Sequence, residues 1–233
     1  EPDRNNLLQS LFSSQNIPAS MVSYISPTYK TTITEDIYTN NVKKQLVLNL
    51  RPTPMKKGEL SLFLNYKAVL ENIVKNYKDG IFLILESDVM IGKDIKLLPS
   101  FINDIKDKDW GLIHIGTEDK RIWTNPNFDS PTGYKERIFY NNNSPIEDIT
   151  NKNNLFRLSR KFYTRCTDSF LWKYKAISHF LNYMNSNSDY GIPFDYYMCN
   201  YFENNPSIKH YWSEHEFFIQ GSNSGKMQST IQN

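Results

Sequence analysis

Ile81-Phe82-Leu83-Ile84-Leu85-Glu86-Ser87-Asp88 decides the fold: an unbroken apolar run passes straight into two carboxylates, and Val89-Met90-Ile91 follows. An apolar run this short, opened by the turn signal Asp79-Gly80, reads as a buried strand. In open α/β sheets ligands bind beyond the carboxyl ends of the strands, so Glu86 and Asp88 are expected at the mouth of a pocket. Alternation along an extended chain puts both side chains on one face and Ser87 on the other. Two hard oxygen ligands on one face suit Mg²⁺ or Mn²⁺, which take carboxylates together with phosphate oxygens and waters. The chemistry this suggests is the handling of a nucleotide diphosphate, although an acidic strand end taken alone equally fits a solvated turn.

Working backwards from the strand, Gly58-Glu59 opens a long amphipathic segment in which Leu62, Tyr66, Val69, Ile73 and Tyr77 recur at helical spacing. Helix, short turn and buried strand form half of a βαβ unit, which predicts an α/β fold with a mostly parallel sheet. Further upstream, Leu7, Leu8, Leu11 and Phe12 give a helical face between Asn5 and Ser14, closed by Pro18, and Gln45 to Asn49 reads as a short strand. Working forwards, a helix is expected around Leu97 to Ile105 and a strand at Trp110 to Ile115, where His114 reads as a core or sheet-face histidine. Residues 116–154 are rich in Asn, Asp, Pro, Ser and Thr, with Trp123, Phe128 and Tyr134 interspersed. A stretch of this length without periodicity is either disordered or a binding segment, and its aromatics can serve a sugar acceptor or anchor the loop.

The last third regains order. Thr167 to Tyr174 reads as a strand, Lys175 to Met184 as a helix, Ile192-Pro193-Phe194-Asp195 as the entry to a helix running through Phe202, and Glu216 to Gln220 as a final strand. Asp195 can cap its helix or face the pocket and take a proton from an acceptor hydroxyl. Asp168, flanked by apolar residues of its strand, can hold sugar hydroxyls or be a buried hydrogen-bonded carboxylate. Gly221 to Lys226 is not a P-loop, because Met227 stands where Ser or Thr should follow the lysine. Lys226 on a mobile tail can still neutralise a diphosphate.

The chain of 233 residues is long enough for one well-packed domain, with 39% hydrophobic and 14% aromatic residues. A net charge of +2, with the signs intermixed, gives no reason to expect a nucleic acid or an anionic membrane as partner. Cys166 and Cys199 are too few for a disulfide framework and lack zinc spacing. No apolar stretch has the length of a transmembrane helix, and with low cysteine usage this leans towards the cytoplasm.

Gly58-Glu59-Leu60, then Phe63-Leu64-Asn65-Tyr66, then Ile84-Leu85-Glu86-Ser87-Asp88-Val89 resemble the glycosyltransferase family 25 pattern "GE-aliphatic-G-C-x-x-S-H … I-L-E-D-D". That family includes bacterial lipooligosaccharide and collagen galactosyltransferases. Pro2-Asp3-Arg4 and Gln15 to Pro18 resemble its N-terminal motif, Pro193-Phe194-Asp195 with Tyr196-Tyr197-Met198 its second acidic motif, and Phe218-Ile219-Gln220 its closing segment. Ser61-Leu62 stands for the usual Gly-Cys, Asn65-Tyr66 for Ser-His, and Ser87 for the middle Asp. The resemblance implies a single GT-A type domain, a Rossmann-like α/β/α sandwich with a nucleotide-sugar half at 1–115 and an acceptor half at 116–233, its first strand upstream of residue 1. It further implies inverting transfer of galactose, glucose or a relative from a UDP-sugar to a hydroxyl of a glycan or glycoprotein, with Mn²⁺ or Mg²⁺ as cofactor. In that reading Asp88 and Glu86 hold the metal, Asp195 is the base, and Asp168, Gln220 and Lys226 bind the donor, with His215 as a further metal ligand. A carbohydrate-recognition module of the same fold and a sugar nucleotidyltransferase are the alternatives.

Overall fold

The computed structural model describes residues 2–43, 54–116, 155–157, 167–213 and 215–221. Among them the elements run α1 (Pro2–Ser14), α2 (Glu35–Asn41), α3 (Lys57–Asn76), β1 (Ile81–Leu85), β2 (Val89–Ile91), α4 (Leu98–Ile105), β3 (Leu112–His114) and β4 (Leu155–Arg157). They continue as β5 (Ser169–Lys173), α5 (Tyr174–Ser186), α6 (Phe194–Asn204), β6 (His210–Ser213) and β7 (Phe218–Gln220). The strand expected at Gln45 to Asn49, most of the 116–154 segment, Cys166 and Lys226 lie outside the described residues.

The five-stranded sheet has the order β1-β5-β3-β6-β4, and β2 and β7 form a separate two-stranded sheet. The β1/β5, β3/β5 and β4/β6 pairs are antiparallel and only β3/β6 is parallel, so the expected mostly parallel sheet is corrected. β1 and β3 do run in the same direction on either side of α4, as a βαβ unit requires. β5 is inserted between them and runs the other way. Apolar periodicity identifies a strand but is the same read in either direction, so it carries no information on parallel or antiparallel pairing.

Helices cover both faces of the sheet. Strand residues alternate between two cores: Ile84, Leu112, Phe170 and Trp172 pack with α3, α5 and α6, while Ile113, Leu171 and Tyr211 pack with Leu8 of α1 and Leu98, Phe101 and Ile105 of α4. The α3 backbone starts at a Glu59 carboxylate that accepts the Lys56 N–H at 2.7 Å, which satisfies a donor the helix itself leaves open. Its buried face is Leu60, Phe63, Tyr66, Leu70 and Ile73, which shares Tyr66 and Ile73 with the expected stripe. Leu62 and Val69 are only partly buried, because α3 packs on α5 and α6 as well as on the sheet. Phe63 stacks on Tyr190 at 4.1 Å between centroids, and Tyr66 on Phe194 at 4.2 Å. Aromatic pairs of this kind contribute about 0.5–1.5 kcal/mol each beyond their buried area. Helix α1 stops at Ser14, ahead of Pro18, and Asn16 takes a positive φ of 56°.

His114 is buried, as expected, and its ring lies 5.6 Å from that of His210 in β6. Burial lowers the His210 imidazole to about 3. Burial, and secondly the His210 charge, lower His114 well below the usual histidine range. Both are therefore neutral near pH 7, whereas an unfolded histidine protonates near ~6.5. Between these values the unfolded chain binds more protons, so the stability contributed by the neutral rings is complete above about pH 6.5 and is lost as the pH falls towards 3. Replacing His210 by Phe, which keeps a ring against Phe202, is expected to flatten the decline in melting temperature between pH 7 and pH 4. An unchanged slope would assign the acid sensitivity to other groups.

Candidate functional site

The β1/β5 ladder pairs Leu85 with Ser169 and continues one step further, where the Glu86 N–H donates to the Asp168 carbonyl at 2.9 Å. Glu86 and Asp168 are thus cross-strand neighbours on the face that carries α3, α5 and α6. Like charges so placed repel. Asp88 follows in a turn that the Val89 N–H closes on the Glu86 carbonyl at 3.4 Å, in place of the expected extended alternation; it is 7% exposed, while Ser87 is exposed to solvent. The Asp88 backbone is fixed from behind: β2 pairs Val89 with Gln220, and the Gly221 N–H donates to the Asp88 carbonyl at 2.7 Å. Asp195 arrives from the first turn of α6, beneath Phe194, whose ring is pinned on Tyr66.

These carboxylates share one electrostatic environment. Burial, the charge of Asp88, and then those of Asp168 and Asp195 push the Glu86 carboxyl far above the usual range, with a hydrogen bond from Thr167 opposing the rise. Among the described residues the charges acting on Glu86 are those of Asp88, Asp168 and Asp195, an arrangement suited to a cation. Among the described residues, however, no group of three or more His, Cys, Asp or Glu side chains forms a metal cage on its own. The donor set fits a hard divalent ion taken by one or two carboxylates and completed by phosphate oxygens and water.

Asp168 is 1% exposed, and one of its carboxylate oxygens accepts from the Ser169 hydroxyl at 2.8 Å. Its space exists because Gly116 stands opposite it on the continuation of β3: a Cβ there would lie 2.1 Å from Asp168 Oδ2. Asp195 does not cap α6. Pro193 occupies the cap position, and Asp195 Oδ1 accepts the adjacent Tyr196 N–H at 2.9 Å. Gln220 lies directly beside the Asp88 anchor. His215 is placed elsewhere, with Nδ1 3.7 Å from Asp94 Oδ2 and its ring against Phe101 and Phe217, on the α4 side of the sheet. The structure therefore brings together Glu86, Asp88, Asp168 and Asp195; Gln220 is paired through its backbone with Val89, next to Asp88, and His215 is not brought to them.

Three further residues belong to this site that the sequence reading left without a role there. The Tyr66 hydroxyl donates to the Thr167 carbonyl, and the Thr167 hydroxyl donates to the Glu86 carboxylate. Gly116 is the third. A glycine one step beyond an apolar strand, and a Thr-Asp-Ser run opening another, were the available signals.

In this α/β fold the carboxylates are gathered where β1 ends and β5 begins. The model of glycosyltransferase family 25 (LPS biosynthesis protein) matches residues 1–198, and the chain belongs to that family. Membership makes a sugar donor and an acceptor its substrates. No curated protein matches the chain. No helix among the described residues is long and apolar enough to cross a membrane. Two departures from the family pattern have a visible structural use: Asn65 Oδ1 accepts the Thr28 N–H at 2.6 Å, and Ser61 donates to the Thr28 carbonyl, so that α3 holds the segment before α2.

Gly116→Ala is expected to destabilise the fold by about 1–3 kcal/mol, the usual cost of overpacking. Adding Asp168→Ala should recover most of that loss in thermal unfolding, because the clash is with that carboxylate. Strict additivity of the two changes would contradict the contact.

Proposed function

We propose that the chain is a metal-dependent inverting glycosyltransferase that moves a hexose, galactose or glucose, from a UDP-sugar to a hydroxyl of a glycan or glycoprotein acceptor. The observation that carries this reading is the convergence of Glu86, Asp88, Asp168 and Asp195 with mutual repulsion that a cation would relieve. Family membership supports the transfer of a sugar.

In this reading Asp88 and Glu86 would hold Mn²⁺ or Mg²⁺, which would supply positive charge beside the donor's diphosphate. Asp168 accepts hydrogen bonds from donor-sugar hydroxyls, and Gln220 completes the donor side. Lys226 adds positive charge at the leaving group. Asp195 takes the proton of the acceptor hydroxyl as its oxygen bonds to the anomeric carbon, and the bond from that carbon to the diphosphate breaks with UDP leaving. Attack on the face opposite the diphosphate inverts the anomeric configuration. Buried apolar packing beneath the carboxylates, from Tyr66, Phe170 and Phe194, keeps their environment of low polarity and strengthens each charge interaction.

Calorimetric titration of UDP-glucose, UDP-galactose and UDP-N-acetylglucosamine, each with and without Mn²⁺, tests the donor side. Metal-dependent binding of a hexose donor is expected, and Asp88→Ala should remove the metal dependence. Glycan binding without nucleotide or metal would instead identify a carbohydrate-recognition module.

Asp195→Asn is expected to lower turnover by about 10²–10⁴-fold, the range of general base catalysis, with UDP affinity and melting temperature nearly unchanged. Loss of folding in this variant would make Asp195 a structural residue of α6.

A further inference from the structure

We propose that Tyr66 and Thr167 are positioning residues for Glu86: the Tyr66 hydroxyl holds the Thr167 carbonyl, which sets the Thr167 hydroxyl on the Glu86 carboxylate. The proposal rests on the donor-site reading above. Each link is a hydrogen bond between different parts of the fold, Tyr66 on α3, Thr167 two residues before β5 and Glu86 immediately after β1. Tyr66 is 4% exposed and Thr167 is likewise buried at 4%, so water does not compete for either bond.

Among the described residues, Thr167 is the side-chain donor on the Glu86 carboxylate. The Glu86 backbone N–H is committed to the Asp168 carbonyl, and its carboxylate faces the charges of Asp88, Asp168 and Asp195. A carboxylate repelled by its neighbours turns away from them unless a donor holds it, and Thr167 is that donor. Thr167 lies two residues ahead of β5, where its own direction is set by what its carbonyl accepts. Tyr66 supplies that bond from a ring fixed by Phe194 at 4.2 Å and an interplanar angle of 13°, and by Phe170 at 6.2 Å. Burial, and then the charges of Glu86 and Asp168, hold the Tyr66 proton in place well above the usual phenol range, so the hydroxyl is a donor at every physiological pH. The same ring seats the first residue of α6, next to Asp195. One side chain thereby sets the geometry of the metal-side carboxylates and of the candidate base.

The test is calorimetric titration of UDP in the presence of Mn²⁺ against wild type, Tyr66→Phe, Thr167→Val and Thr167→Ser, with melting temperatures measured alongside. Tyr66→Phe keeps the stacked ring and removes only the hydroxyl. Both Tyr66→Phe and Thr167→Val are expected to weaken metal-dependent UDP binding by about 10–100-fold, the usual effect of losing a residue behind a metal ligand. Thr167→Ser, which keeps the hydroxyl, should restore most of the affinity, a rescue that a purely structural role does not predict. Wild-type affinity in both Tyr66→Phe and Thr167→Val overturns the proposal. If Tyr66→Phe does not fold, the Thr167→Val and Thr167→Ser pair decides by the same criterion. If the wild type itself binds no UDP, the donor-site reading fails, and the positioning link is then decided by double-mutant cycles of Thr167→Val and Tyr66→Phe with Glu86→Ala in thermal unfolding. Coupled melting shifts support the link and additive shifts overturn it.

Discussion

The arrangement depends on one unfavourable contact. Glu86 and Asp168 sit side by side across the β1/β5 ladder, and burial together with the charges of Asp88, Asp168 and Asp195 disfavours the charge on Glu86. A sheet chosen for stability alone would place opposite charges or apolar groups there. The surrounding structure is organised to hold this pair in place: Thr167 and Ser169 donate to the carboxylates, Gly116 makes room for one of them, and Tyr66 locks the start of β5. Strain of this kind persists where binding or catalysis uses it. The aromatic layer of α3, α5 and α6 contributes the packing that offsets it.

The antiparallel direction of β5 is what creates the pair. In a parallel sheet the beginning of one strand lies at the opposite edge from the end of its neighbour, and Asp168 would be a strand length away from Glu86. Because β5 runs against β1, its first residues meet the last residues of β1. Two carboxylates with no sequence proximity are gathered by topology, and α6 then brings Asp195 from the same side.

Much of this was legible in the sequence at the level of elements. The apolar run of β1, the helices α3, α4, α5 and α6, and the strands β3, β5 and β7 all lie close to where periodicity and turn residues put them. Strand β6 was not found, since His210-Tyr211-Trp212-Ser213 shows no simple alternation, although aromatics after the Asn205-Pro206 turn are a strand signal. Pairing direction was misread because period-two alternation is unchanged when a strand is reversed. At the site, Glu86, Asp88, Asp168 and Asp195 stood out as carboxylates in apolar settings. Tyr66, Thr167 and Gly116 did not, since a helix-face tyrosine, a strand-end threonine and a loop glycine take their meaning only from what lies across the sheet.

Strand β7 joins parts of the molecule that the chain itself leaves far apart. It pairs with β2 along its length, bridges Gly116 at Phe218 beyond the end of β3, and passes into Gly221, which holds Asp88. The backbone amides of Gly92, Ile115 and Gly221 are bound respectively by Phe217, Ser169 and Asp88, which closes a ring of hydrogen bonds around the base of the carboxylate cluster. These bonds tie β2, β7, the end of β3 and the start of β5 to one another. The carboxylates thus stand on a backbone frame drawn from residues 88–92, 115–116, 169 and 217–221, segments far apart in the sequence.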